Sequence, residues 1–231
     1  MSNEMTSQNQ ITEGGILRPL LAFFFPILLG TFFQQLYNTA DAVVVGNYVG
    51  TVALAAVGGS TGILIGLFVN LFVGVASGTT VIIAQCYGAR DFDGVRKTVH
   101  TSVAIATVGG LIAMVITLLG AEPALRAMGT PSDVIPDATL YLRIYALGMV
   151  PSFLYNIGSG ILRAVGDTKR PLYFLIIACL TNIVLDVLFV MGFGMGVLGV
   201  ATATVISQVV SCVLVLLMLM QIGRASCRER V

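Results

Sequence analysis

Charged residues are missing from most of this chain, and the gaps they leave are long. Pro19–Ala40, Ala42–Ala89, Thr101–Ala121, Ile144–Leu162, Pro171–Leu185 and Gly199–Met220 hold no Asp, Glu, Lys or Arg. A membrane-crossing helix needs about 20 mainly apolar residues, and most of these runs reach or approach that length. The 48 residues from Ala42 to Ala89 are enough for the end of one helix, a Gly-rich turn at Gly46–Gly50 and a second helix. Helices are therefore expected over residues 16–44, 53–85, 95–120, 136–163, 170–192 and 198–221. Charged residues make up 10% of the chain, against roughly 25% in a soluble domain. The expected fold class is an all-α membrane protein, a six-transmembrane-helix bundle.

Both ends stand apart from this pattern. Residues 1–15, MSNEMTSQNQITEGG, are polar and slightly acidic. They carry neither the basic start nor the small-residue cleavage site of a signal peptide, so they read as a cytoplasmic tail. At the other end, IGRASCRERV brings three arginines and a glutamate into ten positions. One reading is a basic cytoplasmic flank. The other is a scar, because ATC GGA AGA GCG TCG TGT AGG GAA AGA GTG encodes these ten residues. That string matches a common short-read sequencing adapter whose next triplet is a stop. Residues 221–231 are therefore expected to be translated adapter and are set aside from fold reasoning. The membrane unit is then 16–220. Resequencing the source DNA through and beyond codon 220 checks this expectation. Without the tail, nine basic residues face ten acidic ones, a net charge of −1 in place of +1. Cys86, Cys179 and Cys212 lie in apolar runs without metal-ligand spacing and read as small packing residues.

The loops vote on orientation. GARDFDGVRK carries Arg90, Arg96 and Lys97, and RAVGDTKRP carries Arg163, Lys169 and Arg170. The loop between the third and fourth helices has only Arg126, and the remaining two loops have no basic residue. Lys and Arg mark the cytoplasmic side, so both basic loops are expected inside. Six crossings then put both ends of the native segment inside.

Inside the helices, runs such as AAVGGSTGILIG and VGVASGTT allow close helix approach. Pro26 and Pro151 are read as lying within the first and fourth helices. Each frees a backbone carbonyl, giving a static kink or, in a moving protein, a hinge; Pro26 is the hinge candidate.

Two carboxylates stand inside the apolar segments, Asp41 in QQLYNTADAVVVG and Asp186 in TNIVLDVLFV. An acid at a helix centre costs about 2.5–3.5 kcal/mol on insertion scales and usually faces a cavity or a partner. At about 1.5 Å per residue, Asp41 lies roughly 36 Å along its helix and Asp186 about 22 Å along its own. Both depths fall towards the outer side. Each acid has polar company on its own helix face. Gln34, Asn38 and Asp41 are spaced by four and three, Asn182 and Asp186 by four, and Thr204, Gln208 and Ser211 by four and three. Three oxygen-bearing stripes suit a small hard cation, or a proton carried on a buried aspartate. They suit equally a hydrogen-bonded network that only joins helices. His100 has no Cys or Glu at metal spacing and reads as interfacial. Arg143 reads as a snorkelling or paired arginine near the inner interface. No Walker, G-x-S-x-G or H-E-x-x-H pattern occurs, so an enzyme is not expected. No nucleic-acid partner is expected either.

FPILLGTFFQQLYNTADAVVVGNYVG, ALAAVG, AQCYGARD, ILRAVGDTKRP and TNIVLDVLFV…GVLGVATATVISQ together resemble the multidrug and toxic compound extrusion (MATE) family. The likeness covers about residues 16–220 and is greatest to the bacterial branch with DNA-damage-inducible (DinF-type) members. It implies a twelve-helix antiporter of two six-helix lobes, of which this chain matches the N-lobe. The implied partners are the lipid bilayer, small amphipathic and often cationic compounds, and a missing C-terminal six-helix lobe. The implied location is the bacterial cytoplasmic (inner) membrane. The resemblance implies no cofactor, only a coupling ion, Na⁺ or H⁺. It assigns the cation or proton site to Asp41, Asn182, Asp186, Thr204 and Asn156, with Asp41 and Asp186 as metal ligands if the ion is Na⁺. Gln34, Asn38 and Tyr141 are the substrate-cavity candidates. A lipid-linked oligosaccharide flippase of the same superfamily and a non-transporting membrane scaffold are the alternatives.

Overall fold

The computed structural model describes residues 17–228, with side chains between Leu21 and Gln221. The expected tail over residues 1–15 lies outside the described residues, as do 229–231 at the end of the proposed adapter segment. The described residues are helical throughout, and no strand occurs among them.

Helix α1 (Leu17–Tyr48) runs 32 residues with Pro26 inside it. A short turn follows, in which Gly50 has φ 120°, a conformation that side chains rarely tolerate. The expected second helix is two pieces, α2 (Thr51–Gly58) and α3 (Ser60–Gly88), parted at Gly59. Helix α4 (Phe92–Ala127) is started by Asp91, whose carboxylate accepts the Gly94 N–H at 2.9 Å. The expected fourth helix is also two pieces, α5 (Ile135–Leu147) and α6 (Met149–Ala164). Helix α7 (Lys169–Asp186) continues directly into one π-helical stretch, Val187–Gly192. Helix α8 (Gly196–Arg228) closes the bundle.

The break at Gly148 falls where the Pro151 expected within the fourth helix calls for one. The Gly148 N–H bonds the Tyr145 carbonyl at 2.9 Å, a tightened last turn, and the Gly148 carbonyl starts α6 by accepting from Ser152. Pro151 thus stands in the first turn of α6, where a missing N–H has no intrahelical partner to lose. Its missing N–H is the one that would have met the Leu147 carbonyl, so the helix parts at Gly148 as the proline requires.

Helix α4 packs on α5 and α6, α3 on α6, α7 on α1 and α8, and α8 also on α5 and α6. Small residues set these distances. A Cβ on Gly110 of α4 would stand 2.9 Å from the Val150 Cα of α6, so glycine is what permits that approach. The core beneath holds Phe72, Phe153, Ile157 and Ile161, while Leu67, Leu71, Ile116 and Leu119 project outward. In water an apolar surface of this extent would be anomalous, but against lipid it is the expected finish. Four spans are long and apolar enough to cross a membrane: Thr51–Gly88, Phe92–Ala127, Lys169–Gly192 and Gly196–Gln221. Helix α1, and α5 with α6, complete the six-helix bundle.

Arg143 corrects the sequence reading. It lines one cleft with Glu122 and Arg126, at the end of α4 far from the basic turn around Arg90. It does not lie at the end of the bundle that carries the basic loops.

Candidate cation site and cavity

Asp41 projects from α1, Asn182 and Asp186 from the last two turns of α7, and Thr204 from α8. Because α7 packs on both α1 and α8, these four side chains converge. They are 6%, 0%, 0% and 1% exposed in that order. The Asp186, Asn182 and Thr204 side chains all lie against the Asp41 carboxyl group. Thr204 Oγ1 donates to the Val200 carbonyl at 2.9 Å and lies 3.5 Å from Asp41 Oδ2.

The cluster is short of donors. Asp41 Oδ1, both Asp186 oxygens and both Asn182 amide atoms are buried without a hydrogen-bond partner. Among the described residues, neither aspartate forms a salt bridge; the pairs Arg126–Glu122 and Arg170–Asp167 lie elsewhere. A buried charge without a counter-charge is costly. Two carboxylates, an amide and a hydroxyl form an all-oxygen acceptor set of the kind a hard cation takes, or a proton shared between acids.

Asp41 alone of the two acids also faces a cavity of about 380 Å³. Gln34 and Asn38 line it from α1, Tyr141 and Tyr145 from α5, Asn156 from α6, and Thr204, Ser207 and Gln208 from α8. Asn182 and Asp186 are not on its wall; they stand behind Asp41. The substrate-cavity candidates Gln34, Asn38 and Tyr141 thus share one wall system. Asn156, assigned to the cation site from the family resemblance, lines the same cavity and donates its amide to the Ser152 carbonyl at 2.9 Å. Pro26 lies on α1, 15 residues before Asp41.

The structure adds residues that the sequence reading passed over. The Tyr37 hydroxyl and Ser207 Oγ meet at 3.2 Å on the cavity wall. Tyr145 stacks on Tyr141 with centroids 6.2 Å apart and rings at 25°. Tyr37 is four residues before Asp41, and Ser207 three after Thr204, so the same helical spacing that revealed the stripes could have found them.

A MatE family model matches residues 26–188. This chain belongs to the MATE family. Members of that family are transporters, not enzymes. Similar proteins include the probable multidrug resistance protein YpnP of Bacillus subtilis (strain 168). That protein is 34% identical over 197 residues, which cover 85% of this chain and 44% of YpnP. DNA damage-inducible protein F of Escherichia coli (strain K12) is 30% identical, over 85% of this chain and 43% of that protein. Among solved structures, a crystal structure of MATE in complex with MaD3S superimposes with TM-score 0.80 at 31% identity, covering 85% of this chain and 44% of that one. MATE crystal structures in bent and straight conformations give 0.78 and 0.79, so this MATE chain resembles both about equally. It spans less than half the length of these relatives.

Proposed function

We propose that this MATE chain supplies the N-lobe of a secondary multidrug exporter, and that this lobe carries the site for the coupling cation, Na⁺ or H⁺. One observation carries the reading. Asp41 belongs at once to a donor-poor buried cluster with Asp186, Asn182 and Thr204 and to the wall of the cavity.

A neutralised Asp41–Asp186 pair and a charged one differ in what they demand of their surroundings. The charged pair repels itself and draws a cationic compound to the Asp41 side of the cavity. Once a proton or Na⁺ is held between the acids, that attraction is lost and the compound is released. Exchange of one cation for another follows from a single shared carboxylate. Pro26 is the proposed bending point of α1, the helix that carries Asp41. By the positive-inside rule both ends of the native segment face the cytoplasm. A flippase for anionic lipid-linked sugars would need a cationic groove, whereas Asp41 is the only charged residue on this cavity's wall among the described residues.

The test reads both halves of the idea. Purified wild-type chain should gain thermal stability as Na⁺ is raised or pH is lowered, and the Asp41→Asn variant should lose that response. In everted vesicles holding the full-length gene product, the same substitution should abolish cation-coupled export while leaving expression intact. Full export by Asp41→Asn would overturn the assignment.

A further inference from the structure

A second cleft lies at the end of the bundle away from the basic loops. Its volume is about 480 Å³, and its wall includes Glu122 and Arg126 from α4, Ser132 from the connecting loop, and Thr139 and Arg143 from α5. Glu122 is already engaged, accepting from Arg126 Nη2 at 2.8 Å and Nε at 3.2 Å. Arg143 has no ion pair among the described residues. The cleft therefore carries one uncompensated guanidinium.

Thr139 is the less expected member. Several helical threonines in this chain hand their hydroxyl to the carbonyl four residues back, as Thr107, Thr181 and Thr202 do, although the buried Thr61 has no partner. Thr139 does not. Its Oγ1 is buried without any hydrogen-bond partner, on a residue only 7% exposed that lines the cleft. A buried donor is rarely left unpaired. Here it stands beside the exposed Arg143, which makes no direct salt bridge and shares Glu122 with Arg126 only through space.

We infer that this cleft binds a phosphate group, held by the Arg143 guanidinium, with Thr139 donating and the Glu122-anchored Arg126 beside it. Guanidinium matches two phosphate oxygens at once. The cleft lies at the end of α4, which is long and apolar enough to cross a membrane, so it is set at the level of lipid headgroups. An anionic phospholipid and free phosphate share this chemistry.

Thermal unfolding of the chain in uncharged maltoside micelles distinguishes them. The probes are short-chain phosphatidylglycerol, short-chain phosphatidylcholine and inorganic phosphate, each titrated separately. We expect saturable stabilisation, with apparent affinity about tenfold weaker in Arg143→Gln and Thr139→Val. Arg143→Lys keeps the charge without the fork and should fall between. Lys97→Gln, near the opposite end of α4, should titrate as wild type. Saturation by phosphatidylglycerol alone names the lipid as the source, and saturation by inorganic phosphate alone names the free ion. Unchanged titrations in both Arg143→Gln and Thr139→Val, or an equal loss in Lys97→Gln, would overturn the site.

Discussion

Thr204 on α8 and Asp41 on α1 stand 163 positions apart in the chain and meet at 3.5 Å. The contact is long for a hydroxyl–carboxylate bond, whose usual range is about 2.5–3.0 Å. The Thr204 proton is better placed on the Val200 carbonyl, at 2.9 Å. Thr204 is thus a neighbour of the carboxylate more than its satisfier, and its lone pairs face the same space as the carboxylate's. Replacing Thr204 by Val keeps the shape and removes that oxygen. We expect apparent Na⁺ affinity, read from Na⁺-dependent thermal unfolding, to fall about tenfold, with cation-free stability changed by about 1 kcal/mol or less.

Removing one of two uncompensated acids should do the opposite to cation-free stability. At alkaline pH, where both acids are ionised, Asp186→Asn relieves the like-charge contact with Asp41, and the comparison is made there. The variant should unfold at higher temperature than wild type in Na⁺-free buffer, by about 1–3 kcal/mol. Added Na⁺ should no longer raise its midpoint. A variant less stable than wild type without Na⁺, yet still stabilised by it, would contradict the cluster described here.

The α4–α6 contact predicts a sharp difference between adjacent glycines. A Cβ on Gly110 would meet the Val150 backbone at 2.9 Å, whereas one on Gly109 would meet only the Phe153 ring at 3.9 Å. Gly110→Ala should cost about 1–3 kcal/mol by forcing the helices apart. Gly109→Ala should be neutral or stabilising, by about 1 kcal/mol at most, through helix propensity. Chemical denaturation of the two variants in parallel checks this.

Membrane orientation is checked by labelling. In a background with the native cysteines replaced, Asp133→Cys should react with an impermeant maleimide added to intact cells. Lys97→Cys should react only after permeabilisation. The reverse pattern would invert the bundle.

Much of this architecture was legible in the sequence because lipid leaves few options. Charge-free runs located the helices, and three-and-four spacing gathered Gln34, Asn38 and Asp41 on one face. The convergence of Asp41 with Asp186 was not readable from either stripe, because it depends on α7 packing between α1 and α8. It came from family resemblance, which placed Asn182, Asp186 and Thr204 together and also assigned Asn156, now seen on the cavity wall. The breaks at Gly59 and Gly148 were hidden, since a glycine in an apolar run signals tight packing as readily as a helix end. Only Pro151, four residues after Leu147, hinted at the second break. Arg143 was misplaced although the loop vote decides it, since with both basic loops inside the fourth helix begins on the outer side.

The π-helical stretch Val187–Gly192 begins at the residue after Asp186. Such a stretch is wound more loosely than the α-helix before it, so it holds one residue more than an α-helix of the same rise requires. Deleting a single residue from it would let α7 run on as ordinary helix and leave the residues beyond near their present azimuth, because a π turn takes up its extra residue locally. The chain would still enter α8 in about its present direction, so the meeting of Thr204 with Asp41 does not hang on the extra residue. The surplus residue is thus spent locally, in the turn that follows the buried acid, and not on the path of the chain beyond it.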